Sequence, residues 1–333
     1  MQTLYLQKTL KVDTFMQPNL KLKRLALMMA TLTTLGLQGC IESDSDNDPT
    51  ATEQTLKIPF TAMVGDTEIA CGTSVSGLGA SDTSGQFEYA AWFVYDVKLV
   101  TDEGDIDTEM VENDFQNSDH NFAFLEYRNK LGGCTSDVVE GEEDLPMNDT
   151  VTVKATVIPS EVKGIKFKLG MPYEANHVEE TKFNDKSVYA MLWQWQSGHR
   201  FMRVDFNPTG GFDKDGVNTK TFNFHLGSTG CSGDLTGADP TDPHSCAQPN
   251  NDTVFTLTND QFVINENGTG TKVKFDYAKL VDGMDLTQDD GGSNGCMSAT
   301  TDPECTPMFN NLGIPLDATQ PTSPKQVFSL QLN

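Results

Sequence analysis

The sequence is short of positive charge: 23 Lys and Arg stand against 48 Asp and Glu in 333 residues, a formal net charge of -25. A surface that acidic repels phosphate backbones and anionic lipid headgroups, so nucleic acid is excluded as a partner. No glycine-rich phosphate loop is present, which argues against a phosphate-handling enzyme. GxSxG and HExxH signatures are also missing, and in so acidic a chain chance carboxylate pairs carry no weight. The expected role is therefore binding, with no turnover. No stretch of the exported part is long and apolar enough to cross a bilayer as a helix. Helical periodicity is scarce, and internal repeats are absent. None of the seven cysteines has CxxC spacing, which speaks against a zinc or redox site made of thiolates. Five histidines and three tryptophans are left to carry metal or aromatic chemistry.

The N-terminus carries most of the local positive charge. Lys21, Lys23 and Arg24 precede an apolar run from Leu25 to Leu37, too short for a mature transmembrane helix and suited to a signal-peptide core. Leu37-Gln38-Gly39-Cys40 resembles a bacterial lipobox, with Cys40 as the lipidated residue. Residues 1–39 are thus expected to be a lipoprotein signal peptide, with Met16 as an alternative start. Ile41 stands where an Asp would retain a lipoprotein in the inner membrane. The expected location is the periplasm or cell surface, lipid-anchored, with the outer membrane favoured in a Gram-negative host. Residues 40–54 read as an acidic tether, and residues 55–333 as the folded domain.

Six cysteines remain: Cys71, Cys134, Cys231, Cys246, Cys296 and Cys305. An even number in an exported chain reads as disulfides, and sequence alone does not choose the pairing. Proximity suggests Cys231–Cys246 and Cys296–Cys305 as staples of local loops, leaving Cys71–Cys134 as a long-range bridge. Closing a loop of about 15 residues stabilises by roughly 3 kcal/mol in the chain-entropy account.

Hydrophobic residues alternate with period two over 55–60, 151–157, 165–169, 201–206, 222–224 and 273–275. Each run is bounded by Gly, Pro, Asn or Asp, the signature of a strand. Residues 92–100 read as a longer, more buried strand. Short helical turns are expected at Asn259–Asn265 and Tyr277–Asp282. The fold class is all-β: an antiparallel β-sandwich with long, disulfide-stapled loops. Asp213-Lys214-Asp215-Gly216 resembles part of a calcium loop, but its glycine comes too early and no Glu closes the loop, so it reads as a turn.

His177 follows a strand in a loop, and His225 ends one; loop and strand-end positions are where ligands are mounted on a rigid scaffold. His120, His199 and His244 sit among polar residues and read as surface histidines, although His244 lies within the Cys231–Cys246 loop. Trp193 and Trp195 are two apart, hence on one face of a strand. Met171, Met191 and Met202 lie near the same segments and read as core fillers.

Together these segments resemble the MbnP-like copper-binding family, the four-Cys partner in a "metallo-mystery pair". The resemblance is carried by Cys71-Gly72, Leu78-Gly79, the strand ending at Val100, Gly170-Met171-Pro172 with Asn176-His177, the segment Met191 to Phe201 with its WxWQSG motif, His225 to Cys231, and Cys246 to Asn250. It spans roughly residues 56–280, and Cys71, Cys134, Cys231 and Cys246 match the four family cysteines. It implies a copper-binding protein paired with a di-haem peroxidase of the MauG type, which oxidises a tryptophan to kynurenine. Kynurenine carries an aromatic amine and a ketone, so it ligates copper where tryptophan does not. Trp193 or Trp195 is the implied kynurenine and a metal ligand, with His177 and His225 as imidazole ligands. His199 departs from the family, which has an aromatic there, and Cys296 and Cys305 are additional. Cu(I) accepts two or three ligands, so a sparse histidine supply suffices. A competing reading is a surface lipoprotein that binds carbohydrate or an adhesion partner, with Trp193 and Trp195 as a stacking platform.

Overall fold

The computed structural model describes residues 49–70, 72–127, 147–177, 191–194, 198–234, 238–248, 253–315 and 326–333. The expected signal peptide (1–39), Cys40, most of the expected tether (40–54), Cys71, Cys134 and Trp195 lie outside these residues. The expected strands are present: Thr52–Val64, Thr83–Thr101, Thr150–Val157, Val162–Leu169, Gly198–Pro208, Phe222–Gly227 and Lys272–Asp276 cover every alternating run. In Thr150–Val157, for example, Val151, Val153, Ala155 and Val157 are buried and the residues between them are not. Period-two patterning of this kind puts one face of a strand into the core.

Two large sheets result. One runs Phe328–Gln331, Lys272–Asp276, Thr52–Val64, Thr150–Val157, Glu109–Met110 in spatial order. The other runs Thr253–Thr258, Val162–Leu169, Thr83–Thr101, Gly198–Pro208, Phe222–Gly227, Gly295–Cys296. Pairing is antiparallel with three exceptions among the described strands. Lys272–Asp276 lies parallel to Thr52–Val64, Gly295–Cys296 to Phe222–Gly227, and Gln288–Asp289 to Phe212–Lys214. Each exception joins segments far apart in sequence, which leaves the chain length that a parallel return requires. The all-β sandwich expected from the sequence is what forms.

The sheets meet through aromatic rings. Phe60 packs edge-on to Phe167 at 5.6 Å between ring centres, and Trp92 lies 4.9 Å from Phe275 and stacks on Tyr127 at 4.9 Å. Residues Tyr89 to Val94 are buried without a break, so the long Thr83–Thr101 strand is covered on both faces. Trp92 faces the first sheet, meeting Phe275 and Phe328, whereas its neighbour Phe93 meets Phe122, Phe124 and the His199 ring on the opposite face. That opposite face carries the histidine-bearing segments. The strand bends at Asp96 (φ 47°), where four residues, Tyr95 to Lys98, lie opposite three, Lys166 to Lys168.

Asp213–Gly216 is a hairpin turn, as expected, with Asp215 and Gly216 both at positive φ and Asp213 Oδ1 accepting from the Gly216 N–H at 2.9 Å. The helical turn expected near Tyr277 is Tyr277–Leu280, capped by the Asp276 carboxylate. Asn259–Asn265 makes only a turn at Asp260 and Gln261, with Asn259 Oδ1 accepting from the Gln261 N–H. Two α-helices were not anticipated: the single turn Tyr173–Asn176, in a segment that reads as a loop, and Cys305–Leu312, which buries Cys305, Met308, Phe309 and Leu312 and ends at Gly313 with φ 77°. Disulfides join Cys231 to Cys246 and Cys296 to Cys305, as proximity suggested.

Because Trp92 fills the space between the sheets against three aromatic rings, Tyr127, Phe275 and Phe328, truncation leaves a cavity that the strands cannot close. Trp92→Ala is expected to lower unfolding free energy by about 3–5 kcal/mol. Urea denaturation followed by circular dichroism checks this: the midpoint falls while the slope is unchanged.

Candidate metal centre

Three segments converge outside the inter-sheet core: the short helix Tyr173–Asn176, the start of Gly198–Pro208, and Ser228 after Phe222–Gly227. Asn176 ties them together. Its buried Oδ1 accepts from the His199 backbone N–H at 2.7 Å, and its Nδ2 donates to Ser228 Oγ at 3.2 Å. Its carbonyl accepts from His199 Nδ1 at 3.0 Å, so that ring nitrogen carries the proton. Gly198 makes the approach possible: it sits at φ 78°, and a Cβ there would overlap the Asn176 carbonyl oxygen and lie 2.7 Å from Asn176 Cγ.

His177, next in the chain, is thereby fixed at the end of the helical turn. Its ring lies 4.6 Å from the Tyr173 ring and 4.3 Å from the His244 ring. His177 Nε2 is 3.3 Å from Asn176 Nδ2 and 3.7 Å from Cys246 Sγ. His244 is held from the other side. It belongs to the loop joining Thr229–Ser232 to Ser245–Gln248, a two-stranded hairpin in which Cys231 faces Cys246 directly. The Tyr173 hydroxyl lies 2.6 Å from His244 Nδ1 and 3.5 Å from the His244 carbonyl. Burial, with the nearby Glu174 charge, raises the Tyr173 pKa and keeps it a neutral phenol. Donor atoms of His177, His244, Cys231 and Cys246 all lie within 4.8 Å of one another. With the two sulfurs bonded to each other, the imidazoles are the donors that a metal can use.

His225 is placed differently. It lies within Phe222–Gly227, buried, with Nε2 donating to Asp205 Oδ1 at 2.7 Å and Nδ1 accepting from Arg200 Nε at 3.3 Å. Arg203 grips Asp205 Oδ2 through Nε at 2.9 Å and Nη2 at 2.6 Å, and its guanidinium lies over the Tyr89 ring. Burial alone would push the Asp205 carboxyl up, but His225 and Arg203 outweigh it and hold the pKa low. The structure therefore brings His177 together with His244, and seats His225 in an ion-pair network.

Trp193 is half-buried in the short strand Leu192–Gln194, its ring against Gly227, where a Cβ would sit 3.2 Å from Trp193 Cε3. The Leu192 carbonyl accepts from Arg200 Nη1 at 3.0 Å. The tryptophan segment is thus joined to His225 through Arg200, and through Gly227 and Ser228 to Asn176 and His177. Met171, Met191 and Met202 are buried, as expected of core fillers. His199, read from the sequence as a surface residue, is fully buried against Phe93. His244 was read the same way; the one signal for it was its place inside the Cys231–Cys246 loop.

Residues 53–298 match the MbnP family, and the chain belongs to that family, as its motifs implied. No curated protein matches the sequence. Among solved structures, the chain is similar to MbnP from Methylosinus trichosporium, with 24% identity and a TM-score of 0.67 over 84% of this chain and 99% of that one. At that identity the likeness speaks for a shared fold.

Two buried imidazoles set the acid limit of this fold. Burial, opposed by the Asn176 carbonyl, lowers the His199 pKa to about 4. Burial also lowers that of His225, with Asp205 opposing and the two arginines adding to the effect. An unfolded chain protonates both near pH 6.5, so it binds more protons than the folded one below that pH. Stability is present above about pH 6.5 and is lost as pH falls toward 4, by at most about 1.4 kcal/mol per pH unit for each group. Urea midpoints across this window are expected to fall less steeply for His199→Gln than for the wild type.

Proposed function

We propose that this member of the MbnP family is an exported copper-binding lipoprotein, anchored through Cys40, whose His177 and His244 hold the metal. The observation that carries the reading is the pairing of two imidazoles from separate segments, 4.3 Å apart, each fixed by its own partners. Such a donor set fits copper: Cu(I) accepts low coordination, and imidazole is a ligand common to both oxidation states. The Tyr173 hydroxyl orients His244. By accepting from Nδ1–H while donating to the His244 carbonyl, it leaves Nε2 as the ligating atom, the outer-shell arrangement that fixes ring and tautomer at metal sites. The net charge of -25 raises the local concentration of cations without choosing among them. Nothing in this role requires turnover by the chain itself.

Trp193 and Trp195 remain the residues for conversion to kynurenine by a MauG-type di-haem peroxidase partner. Half-burial of Trp193 on a short strand leaves it eligible for oxidation at a distance. Kynurenine would add an amine and a ketone as donors. The Trp193 strand pairs with Gly198–Pro208 at His199, whose backbone N–H donates to Asn176, the residue that positions His177.

Copper per chain, measured by elemental analysis after gel filtration, tests the ligand assignment. His177→Ala and His244→Ala are each expected to weaken copper binding by about a hundredfold or more, beyond the roughly 10–100-fold that loss of an outer-shell partner costs. His225→Ala is expected to retain copper and lose about 1–3 kcal/mol of stability, because Asp205 and Arg200 lose their partner. Unchanged stoichiometry in the double variant His177→Ala/His244→Ala overturns the assignment.

The modification has its own test. The tryptic peptide Ser187 to Arg200, after co-expression with the di-haem partner and exposure to peroxide, is expected to show one carbon lost and one oxygen gained at Trp193 or Trp195. An unmodified peptide beside an active partner removes kynurenine from the account.

A further inference from the structure

The Cys231–Cys246 bridge lies inside the imidazole pair's reach, with Cys246 Sγ 3.7 Å from His177 Nε2. Both cysteines are half-buried and open to a small reductant, whereas Cys296 and Cys305 of the other described bridge are fully buried. The hairpin keeps the sulfurs together without the covalent bond: Thr229 pairs with Gln248, Cys231 with Cys246 and Ser232 with Ser245. His177 and His244 are held by Asn176 and Tyr173, neither of which depends on the bridge for its hydrogen bonds.

We infer that reduction of Cys231–Cys246 creates a four-donor site, two thiolates and two imidazoles, for a borderline or soft divalent ion such as Zn(II). The inference shares His177 and His244 with the copper reading but rests on the spacing of all four donors. A dithiol supplies the two electrons and two protons: the S–S bond breaks, both cysteines become thiols, and the dithiol closes to a disulfide. Metal binding then releases the two thiol protons. Bonds of about 2.3 Å to sulfur and 2.0–2.1 Å to nitrogen place tetrahedral donors about 3.3–3.8 Å apart. Side-chain rotation brings the donors, now within 4.8 Å of one another, to that spacing as the freed sulfurs move apart. Thiol–disulfide exchange thus sets which metal the site prefers: two imidazoles when oxidised, a closed Cys2His2 set when reduced.

Co(II) is the probe, because tetrahedral thiolate coordination gives it a sulfur-to-metal charge-transfer band and intense visible absorption. The exported chain, reduced with dithiothreitol and freed of it anaerobically, is expected to develop both with one equivalent of Co(II) and to lose them on addition of Zn(II). The oxidised chain should show neither. His177→Ala and His244→Ala, which leave the hairpin intact, are expected to weaken Co(II) binding to the reduced chain by at least about tenfold. Cys231→Ser/Cys246→Ser should abolish the charge-transfer band while the imidazoles still take copper. Absence of the band in the reduced wild type overturns the inference. So does a band that survives in the double serine variant, which would place the thiolates at other cysteines. An oxidised chain that takes no copper, beside a reduced chain with the full cobalt spectrum, overturns the copper reading and supports this one.

Discussion

The arrangement of this molecule outside its core depends on one buried amide. Asn176 donates to Ser228 and accepts from the His199 backbone, while its carbonyl takes the His199 ring proton. The helical turn Tyr173–Asn176 is thereby locked at a single point to the start of Gly198–Pro208 and to Ser228, at the end of that strand's partner Phe222–Gly227. An amide with this many partners in a buried place is costly to disturb, since each group left unpaired costs about 1–3 kcal/mol. Gly198 is the matching constraint: only a residue without a Cβ, at φ 78°, lets the strand begin so close to Asn176. His177 inherits its position from this junction, being the next residue along the chain.

His225 and the pair His177 and His244 are held by opposite strategies. His225 sits in a rigid strand with a carboxylate on one nitrogen and a guanidinium on the other. That is how a buried imidazole is stabilised, and it leaves no lone pair facing outward. His177 and His244 sit on a helical turn and a stapled loop, contacted mainly by each other's rings, Tyr173 and a disulfide. Loop placement on a sandwich gives access, and the hairpin pairing with the Tyr173 hydroxyl supplies the order a loop would otherwise lack. Trp193 lies where both systems meet, with Gly227 against its ring and the preceding Leu192 carbonyl bonded to Arg200. A change at that indole is therefore positioned to be felt at His177.

The strands were legible because alternation survives wherever one face is buried, as in Val151 to Val157. The long strand around Trp92 was legible as more buried for the complementary reason: both of its faces are covered. The Cys305–Leu312 helix escaped because Pro, Thr and two Asn within it are weak helix formers. Its buried residues, Cys305, Met308, Phe309 and Leu312, nevertheless follow the helical spacing of three, four and seven. At the site, His177 was legible from its loop after a strand. His244 and His199 were not, because polar neighbours in sequence say nothing of a partner that arrives from 67 or 23 residues away, as His177 and Asn176 do. His225 looked like an accessible strand end because its strand runs on to Gly227 and its acid partner, Asp205, lies in a different run.

The central claim is that two imidazoles, those of His177 and His244, converge on one copper ion. X-ray absorption at the copper edge reads this directly, because the outer atoms of each imidazole ring add multiple scattering that can be counted. Copper-loaded wild type is predicted to show two imidazoles on the metal, His244→Gln one, and His225→Gln two. Equal imidazole counts in wild type and His244→Gln, or loss of one on replacing His225, would contradict the account.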